Sequence, residues 1–128
     1  MRDFNFENII QILLEKFPEF NLSKEFEECD KENPFLIFGA FSIFLIKKIE
    51  KSKNPELEQS IRDAYKLFDE MDSTNNKNLG DLVVTGVFED LVQNAKAIDL
   101  ARKLFSKKTL IDFESVMKYT GIERREPD

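Results

Sequence analysis

Asn33-Pro34-Phe35-Leu36-Ile37-Phe38-Gly39-Ala40-Phe41-Ser42-Ile43-Phe44-Leu45-Ile46 is a run of 14 residues without a charge. Proline at a first helical position gives up an N–H that would have no partner there, and Asn before it is a good cap. The same dipeptide returns at Asn54-Pro55. Between these two marks the spacing predicts one helix over residues 35–51. Phe35, Leu36, Phe38, Phe41, Phe44, Leu45 and Ile49 cover most of its circumference, so it reads as the central helix of an all-α protein. Fourteen uncharged residues fall short of the roughly 20 needed to span a bilayer, so burial in protein is expected and not a membrane. Gly39 costs about 1 kcal/mol of helix propensity against Ala. Close approach of a neighbouring helix at Gly39 and Ala40 is the expected compensation.

Helical periodicity continues on both sides. Phe6, Ile9, Ile10, Leu13, Leu14 and Phe17 place a helix over residues 5–17, with Asp3 or Asn5 as cap and Pro18 as a break or new start. Residues 23–30 read as a short acidic helix capped by Ser23, with Phe26 and Cys29 turned inward. After Pro55, Leu57, Ile61, Ala64, Tyr65, Phe68 and Met71 form one apolar stripe over residues 55–71. Glu58–Arg62 and Lys66–Glu70 on its outer face have the spacing of i,i+4 ion pairs. Residues 72–78, Asp-Ser-Thr-Asn-Asn-Lys-Asn, have turn composition and read as an exposed loop tip.

Residues 79–92 are rich in β-branched side chains, which favour strands. Yet Leu79, Val83, Val87 and Leu91 step by four, and Val84, Phe88 and Val92 run beside them. That is a helix buried on two sides. Helices over residues 95–105 and 110–119 follow, with Ile98, Ala101, Leu104 and Phe105 inward and Gly121 as the stop. Residues 124–128 read as a frayed tail. The expectation is one all-α domain over residues 1–128, of about six to seven helices. The helices would pair antiparallel, in an irregular bundle or a short HEAT-like α-solenoid.

The chain of 128 residues carries 13 Phe and no Trp, so phenylalanine supplies the core volume. With 19 basic and 25 acidic residues its net charge is −6, which argues against direct binding of nucleic acid. Residues 1–34 carry net −5 and residues 55–94 net −6. Basic clusters at Lys47, Lys48, Lys51 and Lys53, and at Arg102, Lys103, Lys107 and Lys108, interrupt this. The N-terminus does not read as a secretory signal. Cys29 stands alone and cannot form an internal disulfide, so a reducing cytoplasm is the expected compartment.

Chemistry is sparse. With no His, the commonest general base and metal ligand is missing. One Cys cannot build a zinc site. Gly80 and Gly86 fit no phosphate-cradling motif. Residues 72–83 have the length of a calcium loop, but Lys77 stands where glycine is needed and Val83 where glutamate is needed. Acids around Cys29 disfavour its thiolate. Glu89 and Asp90 are neighbours on a helix and diverge too far to act as a catalytic pair by themselves. Neither catalysis nor a cofactor is expected, although an enzyme using carboxylates alone would need only a deep pocket with convergent acids.

Three segments together carry a resemblance. They are Phe38-Gly39-Ala40-Phe41 leading into Phe44, Leu45 and Ile46; the amphipathic helix after Asn54-Pro55; and residues 78–91, ending in Phe88-Glu89-Asp90-Leu91. In this order the chain resembles a family of small acidic helical bacterial proteins that look like immunity proteins of contact-dependent or polymorphic toxin systems. The resemblance spans residues 35–91 and brings no binding residues with it. It implies capture of a cognate basic toxin, nuclease-like, whose cleft an acidic surface would block. The candidate contacts on that reading are Asp69, Glu70, Asp72, Asp81, Glu89 and Asp90, with Glu89 and Asp90 equally open to a structural role inside the fold. The alternative is a helical adaptor without a toxin partner, which would show exposed apolar side chains in a groove.

Overall fold

A computed structural model describes residues 5–121, and among these every regular element is helical. The elements are α1 (Ile9–Lys16), α2 (Pro18–Asn21), α3 (Lys24–Glu28), α4 (Pro34–Lys51), α5 (Gln59–Ser73), α6 (Lys77–Val83), α7 (Glu89–Leu91), α8 (Ala95–Leu104) and α9 (Lys107–Thr120). The expected tail at residues 124–128 and the Asp3 cap lie outside the described residues.

Short polar side chains set most of the helix starts. Ser23, Asn33, Asn76, Asn94 and Ser106 each accept a hydrogen bond from a first-turn N–H of α3, α4, α6, α8 and α9. Asn5 caps the turn before α1 by accepting from the N–H groups of Glu7 and Asn8, and α1 itself begins only at Ile9. Pro18 starts a new helix after a single non-helical residue, Phe17. Gly121 ends α9 at a φ of 81°, a left-handed conformation glycine takes freely.

α4 is the hub. Ile37, Phe38, Phe41, Ser42, Leu45 and Ile49 are buried along it. It packs on α3, α5, α6, α7 and α8, and α5 in turn packs on α9. In a solenoid each unit touches only its sequence neighbours. Contacts between elements this far apart in the chain make the fold an irregular bundle. Phenylalanine fills it as expected. Phe41 meets Phe17 and Phe20 at ring-centre distances of 4.9 and 5.1 Å. Further along, Phe88 meets Phe105 and Phe113 at 5.5 and 5.3 Å. The Tyr65 hydroxyl, buried in this core, donates to the Ala97 carbonyl at 2.8 Å.

Four expectations need correction. Asn54-Pro55 opens a single 3-10 turn (Pro55–Leu57), so Leu57 stands 73% exposed, off the stripe. Its companions Ile61, Ala64, Tyr65, Phe68 and Met71 are buried as the spacing predicts. Arg62 reaches back to the Glu56 carbonyl at 2.8 Å, not to Glu58. The expected loop at residues 72–78 shrinks to residues 74–76, because α5 runs through Asp72 to Ser73 and Asn76 already caps α6. α4 is not buried on every side: Leu36 and Ile43 are about half exposed.

Residues 77–91 form one helical rod whose middle, Val84–Phe88, widens into a π-turn joining α6 to α7. Leu79, Val83, Val87 and Leu91 are buried as expected, with Phe88 and Val92 beside them. The rod crosses α4 where both helices carry glycine. A Cβ on Gly86 would lie 3.3 Å from the Phe38 Cβ and 3.5 Å from the Phe35 carbonyl oxygen, whereas one on Gly39 would meet nothing nearer than the Gly86 carbonyl oxygen at 4.0 Å. The expected close approach at Gly39 is therefore real, but Gly86 is the residue that makes it possible.

The two glycines should respond oppositely to substitution. Gly86→Val forces side-chain atoms into the crossing and is expected to cost about 1–3 kcal/mol. Gly39→Ala fits and should be neutral or stabilising by up to about 1 kcal/mol. Urea unfolding of the two variants checks this; equal losses would contradict the geometry.

Candidate functional site

A wide concavity lies along α4, between α3 and the end of the rod. Its floor is the strip Leu36, Gly39, Ala40 and Ile43, spaced i, i+3, i+4, i+7 on one helix face. α3 and the turn after it contribute Glu25, Glu28, Cys29 and Asp30, and the rod contributes Asp90. Two large apolar ends thus flank a notch made by the small Gly39 and Ala40. The Lys47 ammonium closes one end by pairing with Glu25 at 2.7 Å, which holds the Glu25 carboxyl below its ordinary value. The Cys29 thiol donates to the Phe26 carbonyl at 3.2 Å and stays free of any disulfide.

Asp90 is positioned from beneath. Ser42 is fully buried on α4, and its hydroxyl lies 2.6 Å from Asp90 Oδ2 and 2.8 Å from the Gly39 carbonyl oxygen. A hydroxyl has one proton to give, and the charged, nearer carboxylate is the stronger acceptor. The bond joins residues 48 apart in sequence. It depends on the close crossing at Gly86, four residues before Asp90.

The other acids singled out by sequence divide into separate roles. Asp69 clamps the start of α9. Its Oδ2 accepts from the Ser106 N–H at 2.6 Å, and its Oδ1 from the hydroxyls of Thr109 at 2.7 Å, Ser106 at 2.8 Å and Ser73 at 3.2 Å. Burial alone would push this carboxyl up; the four donors outweigh burial and hold it below its ordinary value. Glu89 accepts from the Tyr119 hydroxyl at 2.7 Å, tying the rod to α9. Desolvation, then Glu89, pushes the Tyr119 phenol up to about 12. Glu70 and Asp81 are exposed on α5 and α6. Of the six, the structure therefore places only Asp90 at the groove and brings none of the other five there with it.

Asp72 has the least expected position. It is buried on α5, where Lys108 of α9 lies 3.3 Å from its Oδ2 and donates to its main-chain carbonyl at 2.8 Å. Lys108 also reaches Asp112 at 3.0 Å, and the two carboxyls share a hydrogen bond. Burial, then the neighbouring Asp112, pushes Asp72 up to about 6, while Asp112 is held low. Below about pH 6 the pair holds one proton, and the buried Asp72 carries it. This is a convergent pair of acids. The Asp72 side chain is only 5% exposed, whereas that of Asp112 is 41% exposed. Sequence reasoning passed over Lys108 and Asp112 as partners, and Ser42 and the Glu28–Asp30 rim as parts of a site. A lone hydroxyl in the uncharged run was the one available signal for Ser42.

Among the described residues no group of three or more His, Cys, Asp or Glu can hold a metal ion, and no helix is long and apolar enough to cross a membrane. A family model described as a domain of unknown function, DUF7674, matches residues 10–119. The chain belongs to this family. The matched span takes in α4, the rod and the groove between them. No curated protein and no solved structure matches the chain.

The raised carboxyl at Asp72 sets a pH test. A carboxyl raised in the folded state from its ordinary 3.8 to about 6 contributes stability below 3.8 and loses it as pH rises through 6. The lowered Asp69, Asp112 and Glu25 act oppositely, and only at more acid pH. Asp72→Asn keeps the hydrogen-bonding shape and removes the charge. It is expected to raise Tm at pH 7.5, with the gain shrinking as pH falls from about 6.5 to 4.5. A Tm lower than wild type at pH 7.5 would contradict the assignment.

Proposed function

We propose that this protein acts by binding another protein, with the groove along α4 as its docking surface. The observation that carries the proposal is the half-exposed strip at Leu36 and Ile43, facing open space beside Glu28, Asp30 and Asp90. Apolar side chains left open on a helix that otherwise builds the core mark a surface that gains by being covered. The acids around it select a basic partner and speed its approach at low salt.

The resemblance at residues 35–91 supplies one class of such partner, a basic toxin domain. On that reading the protein is an immunity protein of the bacterial cytoplasm, and its unpaired Cys29 suits a reducing compartment. Asp69 and Asp72 contribute to such a protein through its stability, since their carboxylates are engaged within the fold. Glu70 and Asp81 are exposed and add to the acidic field without lining the groove. The helical adaptor reading shares the docking surface and differs only in the identity of what docks.

Co-expression with the toxin-like product of the neighbouring gene tests this. Rescue of growth and elution of the two proteins as one complex are expected. A toxic product that this protein neither binds nor neutralises would overturn the toxin reading and leave the adaptor.

A further inference from the structure

Resting on the protein-binding reading, we infer that the occupant of the α4 groove is a basic amphipathic helix of the partner. It lies along the strip Leu36–Ala40–Ile43 and seats one large apolar side chain in the notch over Gly39 and Ala40. The strip is two helical turns long, about 10 Å at the 1.5 Å rise of an α-helix. Its i, i+4, i+7 spacing matches the anchor spacing of a second helix laid against it. The notch lacks side-chain volume of its own, so a bulky partner residue fills it, and Leu36 and Ile43 cover that residue from either end.

Charge decides the partner's chemistry. Glu28 and Asp30 stand on the α3 side of the strip and Asp90 comes from the rod. Glu25 and Lys47 pair with each other. Lys24 is the remaining cation at the rim, against three carboxylates. A helix whose apolar row is flanked by Lys or Arg meets opposite charge along its flanks. A second copy of this chain, at net −6, would bring acid against acid, and an anionic lipid surface would be repelled. Asp90 cannot swing away to avoid a cation, because Ser42 holds one of its oxygens at 2.6 Å. It is a charge fixed in advance, which lowers the cost of binding.

The test is an NMR titration of the full chain with an 18-residue leucine–lysine peptide designed as an amphipathic helix. Two controls accompany it: the same residues in an order without an apolar face, and a leucine–glutamate version. The leucine–lysine helix is expected to shift the methyl signals of Leu36, Ala40 and Ile43 and the amides of Glu28 to Asp30. Ile43→Asp, and separately Glu28→Lys with Asp30→Lys, should each weaken it at least tenfold. Both sets of sites are exposed or half exposed, and an unchanged Tm checks that each variant folds. Shifts centred on another face, equal binding of the disordered-face control, or self-association burying Leu36 and Ile43 would each overturn the inference. So would a partner complex that forms undiminished with Ile43→Asp; that outcome keeps the protein-binding reading and removes only this occupant.

Discussion

The fold depends on how closely the rod at residues 77–91 can approach α4. Without a side chain at Gly86 the two backbones meet over Phe35 and Phe38. The π-turn at Val84–Phe88 falls at this crossing. Such a widening changes the register of everything after it, and π-turns of this kind recur where a helix must present a particular residue. Here the residues presented are Phe88, which enters the ring cluster with Phe105 and Phe113, and Asp90, which meets Ser42. One crossing thus sets both the core beneath α9 and the charge at the edge of the groove.

The acids of this chain serve two different ends. Asp69, Asp72 and Asp112 fasten α5 to α9, one by collecting N–H and hydroxyl donors, the other two by meeting each other and one lysine. Glu89 adds a further tie to the same helix. Glu28, Asp30 and Asp90 instead face the groove. Part of the chain's acidity is thus engaged within the fold, while Glu28, Asp30 and Asp90 stand beside a strip of α4 whose Leu36 and Ile43 are about half exposed.

Sequence pattern recovers what local chemistry determines. Caps at Ser23 and Asn33, the stop at Gly121 and the stripe from Ile61 to Met71 all follow from interactions within a few residues, and all are found where expected. The stripe's forecast fails at Leu57 because a 3-10 turn advances the chain differently from an α-turn and rotates that side chain outward. Features made by distant residues stay hidden. Asp69 lies 37 residues from Ser106 and reads in sequence like any surface acid, and Asp72 opens a run of turn composition at residues 72–78. Ser42 reveals its role only once Asp90 is brought over it. The groove is hidden for the same reason: Leu36 and Ile43 are indistinguishable by type from the buried Ile37 and Leu45, and only the packing of other elements on α4 separates them.

Native-state hydrogen exchange followed by NMR tests the central dependence most directly. If α4 and the rod form one unit through the crossing at Gly86, the amides of residues 38–45 and 82–91 are expected to exchange last and together, at the free energy of global unfolding. Rod amides that exchange through a lower-energy opening, while those of α4 stay protected, would show that the rod detaches by itself and would contradict the account.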